Sequence, residues 1–536
     1  MKLWSRESRG VRAWAVWGLA ALLVACGSSG GTSSTGGGDG TGGEGSDGDD
    51  SVPMSERPGK FATNITVSEV ALFQAVKVTL AKDGAPVDRK NAPIIAGREG
   101  LLRVYVTPQD GFESRPLIGE LTLYAGDQEV ATIRDEKTLA EASRDERLAS
   151  TFNFEIPGDK LTPDVSFRVV LREKGAGAGA DDAGEAQYPL VGEREELKAQ
   201  RGGEVVRIRL VPIQYAADQS NRVPDTSPAA IERYRAAFYR VFPTAQVEIT
   251  VREPFPYSQV IDGRNGRSVQ QVLQAVVRLR AQDRAPADVY YYGAFTPAPT
   301  AAQFCPGGCI AGLSGLVQDP RDTSQRASVG VGYPNFEGTA VHEVAHAMGR
   351  EHAQCGLPPQ DAGDRRFPYP NGGIGVWGYD VVAKSLISPT RGKDFMGYCE
   401  NTFTSDYTFS ALFTRISYVN TNQSSGPASP RAQIIPAQSA SRTYRFVSVN
   451  EDGTLEWGDT VTLDHELHSE PHDVRFLGAR GELLQRAVGH YYPYGDVPGG
   501  YMLVPENTTP FHTLRIENLK LERLAKPMTR ELVRQF

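Results

Sequence analysis

The chain has no stretch of about 18 apolar residues, so no segment of it reads as a comfortable transmembrane helix. It has no surplus of positive charge either: 57 Lys and Arg stand against 65 Asp and Glu, a formal net charge of −8. That balance argues against the basic surfaces that bind nucleic acid or anionic lipid. Cysteine is rare, 5 in 536 residues, and residues 27–304 contain none, so no disulfide framework is expected there. Histidine (8) and methionine (6) are also scarce. Where such rare residues gather, their spacing carries information. The rest of the composition, 40% hydrophobic and 23% charged, is that of an ordinary globular protein, and the length suggests roughly three to four domains.

Three of the histidines fall within residues 342–352, HEVAHAMGREH. His342 and His346 are four apart, one turn of a helix, and so can present both imidazoles on one face to a single metal ion. Glu343 lies beside them, where a carboxylate can take a proton from water activated by that metal. His352 cannot join by continuing the helix, because six further residues would carry it about 9 Å along the axis and roughly 240° around. The chain must turn, and Gly349 is the residue type that ends helices at little cost in the left-handed conformation. Chance agreement at all five fixed positions has odds on the order of 10⁻⁵ for a chain of this composition. That sets aside an amphipathic core helix with incidental histidines.

The pattern His-Glu-x-x-His-x-x-Gly-x-x-His resembles the zinc-binding consensus of the metzincin metallopeptidases, with astacin- and pappalysin-like features. The resemblance implies Zn2+ held by His342, His346 and His352, Glu343 as catalytic base, and a methionine turn some tens of residues downstream. Residues 393–399, KDFMGYC, fit that turn, with Met396 as its methionine. Tyr398 takes the place where such families carry a tyrosine near the metal, as a ligand or as a partner of the oxyanion. Cys305, Cys309, Cys355 and Cys399 all fall in this region, and four cysteines allow three pairings. Since the resemblance brings the third histidine and the methionine turn to one zinc, it implies Cys355–Cys399, leaving Cys305–Cys309 to close the CPGGC loop. A second zinc site made of four cysteines is the alternative. With no cysteine in residues 27–304, latency through a cysteine ligand is excluded.

At the start of the chain, Lys2, Arg6, Arg9 and Arg12 surround or precede a short apolar run that ends Leu23-Val24-Ala25-Cys26. This resembles a bacterial lipobox. It implies a signal peptide over residues 1–25, lipidation of Cys26, and anchorage at the bacterial envelope, at the outer membrane or cell surface, through that lipid only. Residues 26–58 are dominated by Gly, Ser, Thr and acids. They cannot bury enough apolar surface to offset their ordering entropy, and read as a flexible tether.

Residues 59–200 show short alternating strands punctuated by Gly and Pro, the pattern of an immunoglobulin-like β-sandwich. Residues 201–425 change to strand–helix–strand–helix–strand, with Ser227 at a helix N-cap. That order predicts a mostly parallel sheet with packed helices. Together with the resemblance it predicts a metzincin-like α/β catalytic domain built on a twisted mixed sheet. Of two candidate edge segments, 311–317 and 327–333, the first is expected to line the cleft and pair with an extended substrate. Thr339 is expected to cap the metal-binding helix, and residues 400–406 to shape the substrate pocket. After a linker at 424–433, the alternation in residues 432–536 predicts a second immunoglobulin-like β-sandwich. Within it, residues 464–472, DHELHSEPH, gather three histidines and three acids. His465 and His468 are not one turn apart, however, and Pro471 excludes a continuing helix, so a polar loop is predicted.

The sequence therefore reads as a multidomain zinc metalloendopeptidase acting on extracellular proteins or peptides, with flanking sandwiches suited to glycan or protein attachment. Two alternatives stand beside it. One is a surface-anchored adhesion lipoprotein with an inactive zinc domain. The other is a zinc amidase acting on a non-protein bond.

Overall fold

The structure, a computed structural model, describes residues 58–175, 178–358, 361–423, 441–507, 509–519 and 528–533. The leader, Cys26, the tether up to residue 57 and the linker at 424–433 lie outside the described residues. The protein is β-rich and multidomain, with several sheets and few helices. Among the described residues no helix is long and apolar enough to cross a membrane.

The first region contains two sheets. One holds Pro58–Phe61, Val165–Lys174, Arg115–Ala125 and Gln128–Leu139, with two short flanking strands; the other holds Ala85–Pro86, Lys77–Lys82, Ile65–Phe73, Gly100–Pro108 and Phe152–Ile156. Alternate residues of both sheets, among them Leu72, Val104, Leu121, Phe152 and Phe167, meet in one core. Gln128–Leu139 alternates between exposed and half-buried residues, so its sequence lacks the apolar beat of its neighbours. Arg98 ties this region to the next: fully buried, it donates to the carbonyls of Gln74, Thr244 and Tyr239 at 2.8, 2.8 and 2.6 Å.

The middle region follows the predicted alternation. Strands β1 (Val205–Tyr215), β2 (Gln246–Val251), β3 (Val289–Phe295), β4 (Gly312–Ser314) and β5 (Ala327–Val331) form a sheet in the order β2-β1-β3-β5-β4. All neighbours are parallel except β4, which runs antiparallel to β5 at the edge. Helix α1 (Pro228–Val241) starts at Ser227, whose hydroxyl accepts from Ala230 N at 3.3 Å. Helix α2 is Gly266–Gln282, α3 is Glu337–Ala347 and α4 is Asp406–Gln423. Helices α1, α3 and α4 share a core with Val206, Ile208 and Leu210 on one side of β1, whereas α2 packs with Val211 and Ile213. Both sides of the sheet are therefore covered, as a largely parallel sheet requires.

Two expectations are corrected. Thr339 does not cap α3. The helix begins at Glu337 after Phe336, which makes no side-chain cap, and Thr339 is inside its first turn; Glu337 instead pairs with Arg233 of α1 at 2.7 Å, and an acid there suits the positive end of the helix. The C-terminal region, in turn, is not two separately bonded layers. Its seven strands, from Arg442–Val449 to Met528–Val533, bond as one continuous sheet. Register shifts at Arg445/Val447, Phe476/Leu477 and Ile516/Leu519 mark bulges that bend it, and Trp457 Nε1 donates to Val533 O at 3.1 Å, joining the two terminal strands. The curled sheet encloses Val447, Phe476, Met502 and Leu514. Alternation in the sequence showed which faces are buried, but not which strands would bond. Its other side packs on α2: Tyr444, Phe446, Tyr492, Tyr494 and Tyr501 belong to the core that contains Val272 and Val276.

Candidate metal centre

Helix α3 is buried along nearly its whole length, so His342 and His346, one turn apart, point into the protein. The chain then turns where the sequence predicts. Gly349 has φ +83°, and its N–H bonds to His346 O at 2.8 Å. A Cβ at Gly349 would lie 2.8 Å from Val317 O and from Arg415 Nη2, so the turn excludes a side chain by space as well as by backbone conformation. This reversal returns His352 to the other two histidines. Their Nε2 atoms form a nearly equilateral triangle: 3.1 Å from His346 to His342, and 3.2 Å from His352 to each.

The opposite ring nitrogens settle the tautomers. His342 Nδ1 faces Phe395 O at 2.9 Å, His346 Nδ1 faces Arg350 O at 2.5 Å, and His352 Nδ1 faces a carboxylate oxygen of Asp361. Each partner can only accept, so each Nδ1 carries a proton, and the Nε2 of each ring, when neutral, presents a lone pair. A fourth acceptor, Asp496 Oδ1, lies 3.4, 3.7 and 3.6 Å from the Nε2 atoms of His342, His346 and His352. These four atoms can all offer lone pairs to one cation. Tetrahedral metal–nitrogen bonds of about 2.0–2.1 Å place donors roughly 3.3–3.4 Å apart, close to the spacing here. His342, His346, His352 and Asp496 thus form a buried group that could hold a metal ion.

The electrostatics follow from burial. Burial holds His346 down to about 4, outweighing the Asp496 carboxylate. Burial also opposes the charged form of His352, but Asp361 and Asp496 outweigh it and carry that ring up to about 9. Glu343 is pushed well above the usual carboxylate range, by burial first and then by the charge of Asp496.

Glu343 is 2% exposed. It lies outside the ligand group, against the backbone of β4: a Cβ on Gly312 would fall 2.3 Å from Glu343 Oε1, and Oε2 has no hydrogen-bond partner. A buried carboxylate oxygen without a hydrogen bond costs free energy.

The methionine-turn segment supports the site through its backbone. Phe395 O accepts from His342, Met396 is buried, and Met396 N bonds to Asp394 Oδ1 at 2.9 Å. Ala353 N bonds to Met396 O at 3.0 Å, which joins the turn to the third histidine's segment. Tyr398 OH lies 2.8 Å from His352 Nε2 and 3.0 Å from Asp496 Oδ1, and its ring stacks on His342 with centroids 5.6 Å apart. Cys355–Cys399 and Cys305–Cys309 form the two disulfides, with Cα separations of 5.6 and 5.0 Å. The first staples the His352 segment to Tyr398, whose N–H bonds to Cys355 O at 2.7 Å. This pairing removes the four-cysteine metal site. Among the described residues, the histidines of 464–472 gather no ligand group either.

Two members of the site escaped the sequence reading. Asp361 orients His352, and its other oxygen accepts from Gly363 N at 2.8 Å. Asp496 comes from the C-terminal sheet. Both are single acids in loops, with no spacing rule connecting them to the histidines. Orienting carboxylates raise ligand basicity, so Asp361→Ala is expected to weaken metal binding by about 10–100-fold. Competition against a chelator of known affinity reads this directly, and an unchanged affinity would leave Asp361 with no role in the site.

No protein family matches the chain, and no curated protein matches it significantly. One solved chain, from the "Structure of a chaperone-substrate complex", is similar at 11% identity with a TM-score of 0.22. The likeness covers 50% of this chain and 39% of that one, and carries no argument about fold or function.

Proposed function

We propose that the protein is a zinc-dependent metalloendopeptidase of metzincin type, acting on extracellular proteins or peptides. The observation that carries this reading is the convergence of the Nε2 atoms of three histidines beside buried Glu343, whose Oε2 has no hydrogen-bond partner. Three histidines with an acid nearby suit zinc and hydrolysis. When bound, zinc supplies Lewis acidity, which makes water a competent nucleophile near neutral pH and draws charge from a carbonyl oxygen.

The chain's own residues would do the rest. Glu343, ionised where the positive charge of a bound metal offsets the burial and the Asp496 charge that push it up, accepts the proton of the attacking water and delivers it to the leaving amine. Tyr398 donates its hydroxyl proton toward the developing oxyanion. Edge strand β4 offers main-chain hydrogen bonds to an extended peptide, which need no particular side chain; this favours a peptide substrate over a cell-wall amide. The cavity beside Glu343, about 590 Å³, is lined by Arg233, Arg240, His342, Tyr398 and Thr402 and suits a substrate side chain. The proposed location is the bacterial envelope, by a lipid on Cys26, with the outer sheets available for attachment.

Two measurements test the reading. Zinc analysis is expected to give one ion per full chain and none in His342→Ala/His346→Ala. Digestion of a peptide library after limited proteolysis of the chain, with and without 1,10-phenanthroline, is expected to give chelator-sensitive cleavage. Cleavage insensitive to the chelator would overturn the mechanism. A zinc-loaded chain that cleaves nothing even after limited proteolysis has displaced its C-terminal sheet would point instead to an inactive surface-binding protein.

A further inference from the structure

Asp496 lies in the turn between strands Leu483–Pro493 and Gly500–Pro505 of the C-terminal sheet. Its side chain is 4% exposed, its Oδ1 faces the three histidines and Tyr398, and its Oδ2 has no partner. The backbone leading to it lies along the edge of the middle sheet. Leu316 N donates to Pro493 O at 2.8 Å, Gly495 N donates to Ser314 O at 2.9 Å, and Gly315 bridges Tyr494 in the antiparallel sense. This is the main-chain pairing that an extended peptide would make with β4 and the residues that follow it.

Gly495 passes directly over the metal-binding face: a Cβ there would lie 2.5 Å from His346 Cγ. Asp496 also lines both cavities flanking the histidines, one of about 590 Å³ beside Glu343 and one of about 490 Å³ beside Asp361. The turn thus divides what would otherwise be one cleft. Its carrier is firmly seated, since the Tyr492 and Tyr501 hydroxyls bond to Asp322 and Gln325, and Gln274 Nε2 to Ser448 Oγ at 2.9 Å.

We infer that residues 493–498 are a built-in inhibitor of this site, with Asp496 as a fourth metal ligand and Pro493–Gly495 occupying the substrate strand. The inference rests on the zinc-peptidase reading. The carboxylate takes the position that the nucleophilic water needs, and the paired backbone excludes the substrate from the edge of β4. The full chain is therefore latent, and opening it requires the C-terminal sheet to be displaced or cut. Main-chain pairing together with a ligating acid gives a lock that does not depend on substrate sequence.

The test uses the full chain loaded with one equivalent of Co2+, with visible absorption recorded while acetohydroxamate is titrated as probe. Wild type is expected to hold Co2+ in a closed four-donor site that the probe perturbs weakly. Asp496→Ala is expected to keep one Co2+, to change the spectrum without probe, and to bind acetohydroxamate about 10-fold more tightly or better. Asp496→Asn keeps the side-chain volume and is expected to shift both readouts in the same direction, which guards against a folding defect in the alanine variant. Equal spectra and equal probe affinity in wild type and both variants would overturn the inference while leaving the metal site intact. Co2+ binding that persists unchanged in His342→Ala/His346→Ala would overturn the peptidase reading itself.

Discussion

Glu343→Gln, compared with the native chain after limited proteolysis has displaced the C-terminal sheet from both, is expected to lower peptide cleavage by about 10²–10⁴-fold while leaving one zinc per chain. The substitution is nearly isosteric, and Glu343 packs against Gly312 where nothing larger fits, so the fold should tolerate it. Glu343 is not among the four grouped ligand residues, so zinc should stay. What disappears is a group that can hold a proton between the water and the leaving amine. The paired measurement is the turnover of a quenched-fluorescent peptide and the zinc content of the same preparation. Full activity in the glutamine variant would refute the assigned mechanism; loss of zinc along with activity would make Glu343 a structural support instead.

Removing the metal is expected to lower the thermal midpoint of the middle region by about 8–16 °C. The size follows from linkage: free metal at about a thousand times its dissociation constant adds roughly 4 kcal/mol, and each kcal/mol moves the midpoint of a 150–250-residue unit by about 2–4 °C. The molecular reason is the set of four ligand atoms within 3.1–3.7 Å of one another, drawn from separate parts of the chain, which a bound cation holds together. Differential scanning calorimetry with and without 1,10-phenanthroline measures the shift. His346→Ala should unfold at one temperature in both conditions. A wild-type midpoint indifferent to the chelator would mean that the histidines hold no ion.

Much of this site was legible in eleven residues. His342, Glu343 and His346 owe their relation to one turn of helix, and His352 owes its return to a glycine at φ +83°; such geometry is local, so spacing reports it. The Cys355–Cys399 bond was legible one step later, through the expectation that the third histidine and the methionine turn meet. The parallel middle sheet was readable for a similar reason, because strands separated by helices have few ways to pair. Legibility fails where long-range contacts decide. Thr339 has the right chemistry for a cap, but the helix starts earlier, where Glu337 meets Arg233 of another helix. The C-terminal strands alternate as a sandwich would, yet bulges and the Trp457–Val533 contact curl them into one sheet.

The sequence by itself determined the three histidines, the acid beside them and the turn that assembles them, because helix pitch and backbone sterics act over a few residues. The tertiary structure alone decided what faces that triad. Asp361 reaches His352 through a loop with no fixed periodicity, and Asp496 reaches Tyr398 across 98 residues of chain. Its arrival depends on the packing of a whole sheet against α2 and on main-chain bonds to the β4 edge, and no spacing of residues encodes a contact made by the docking of two folded surfaces.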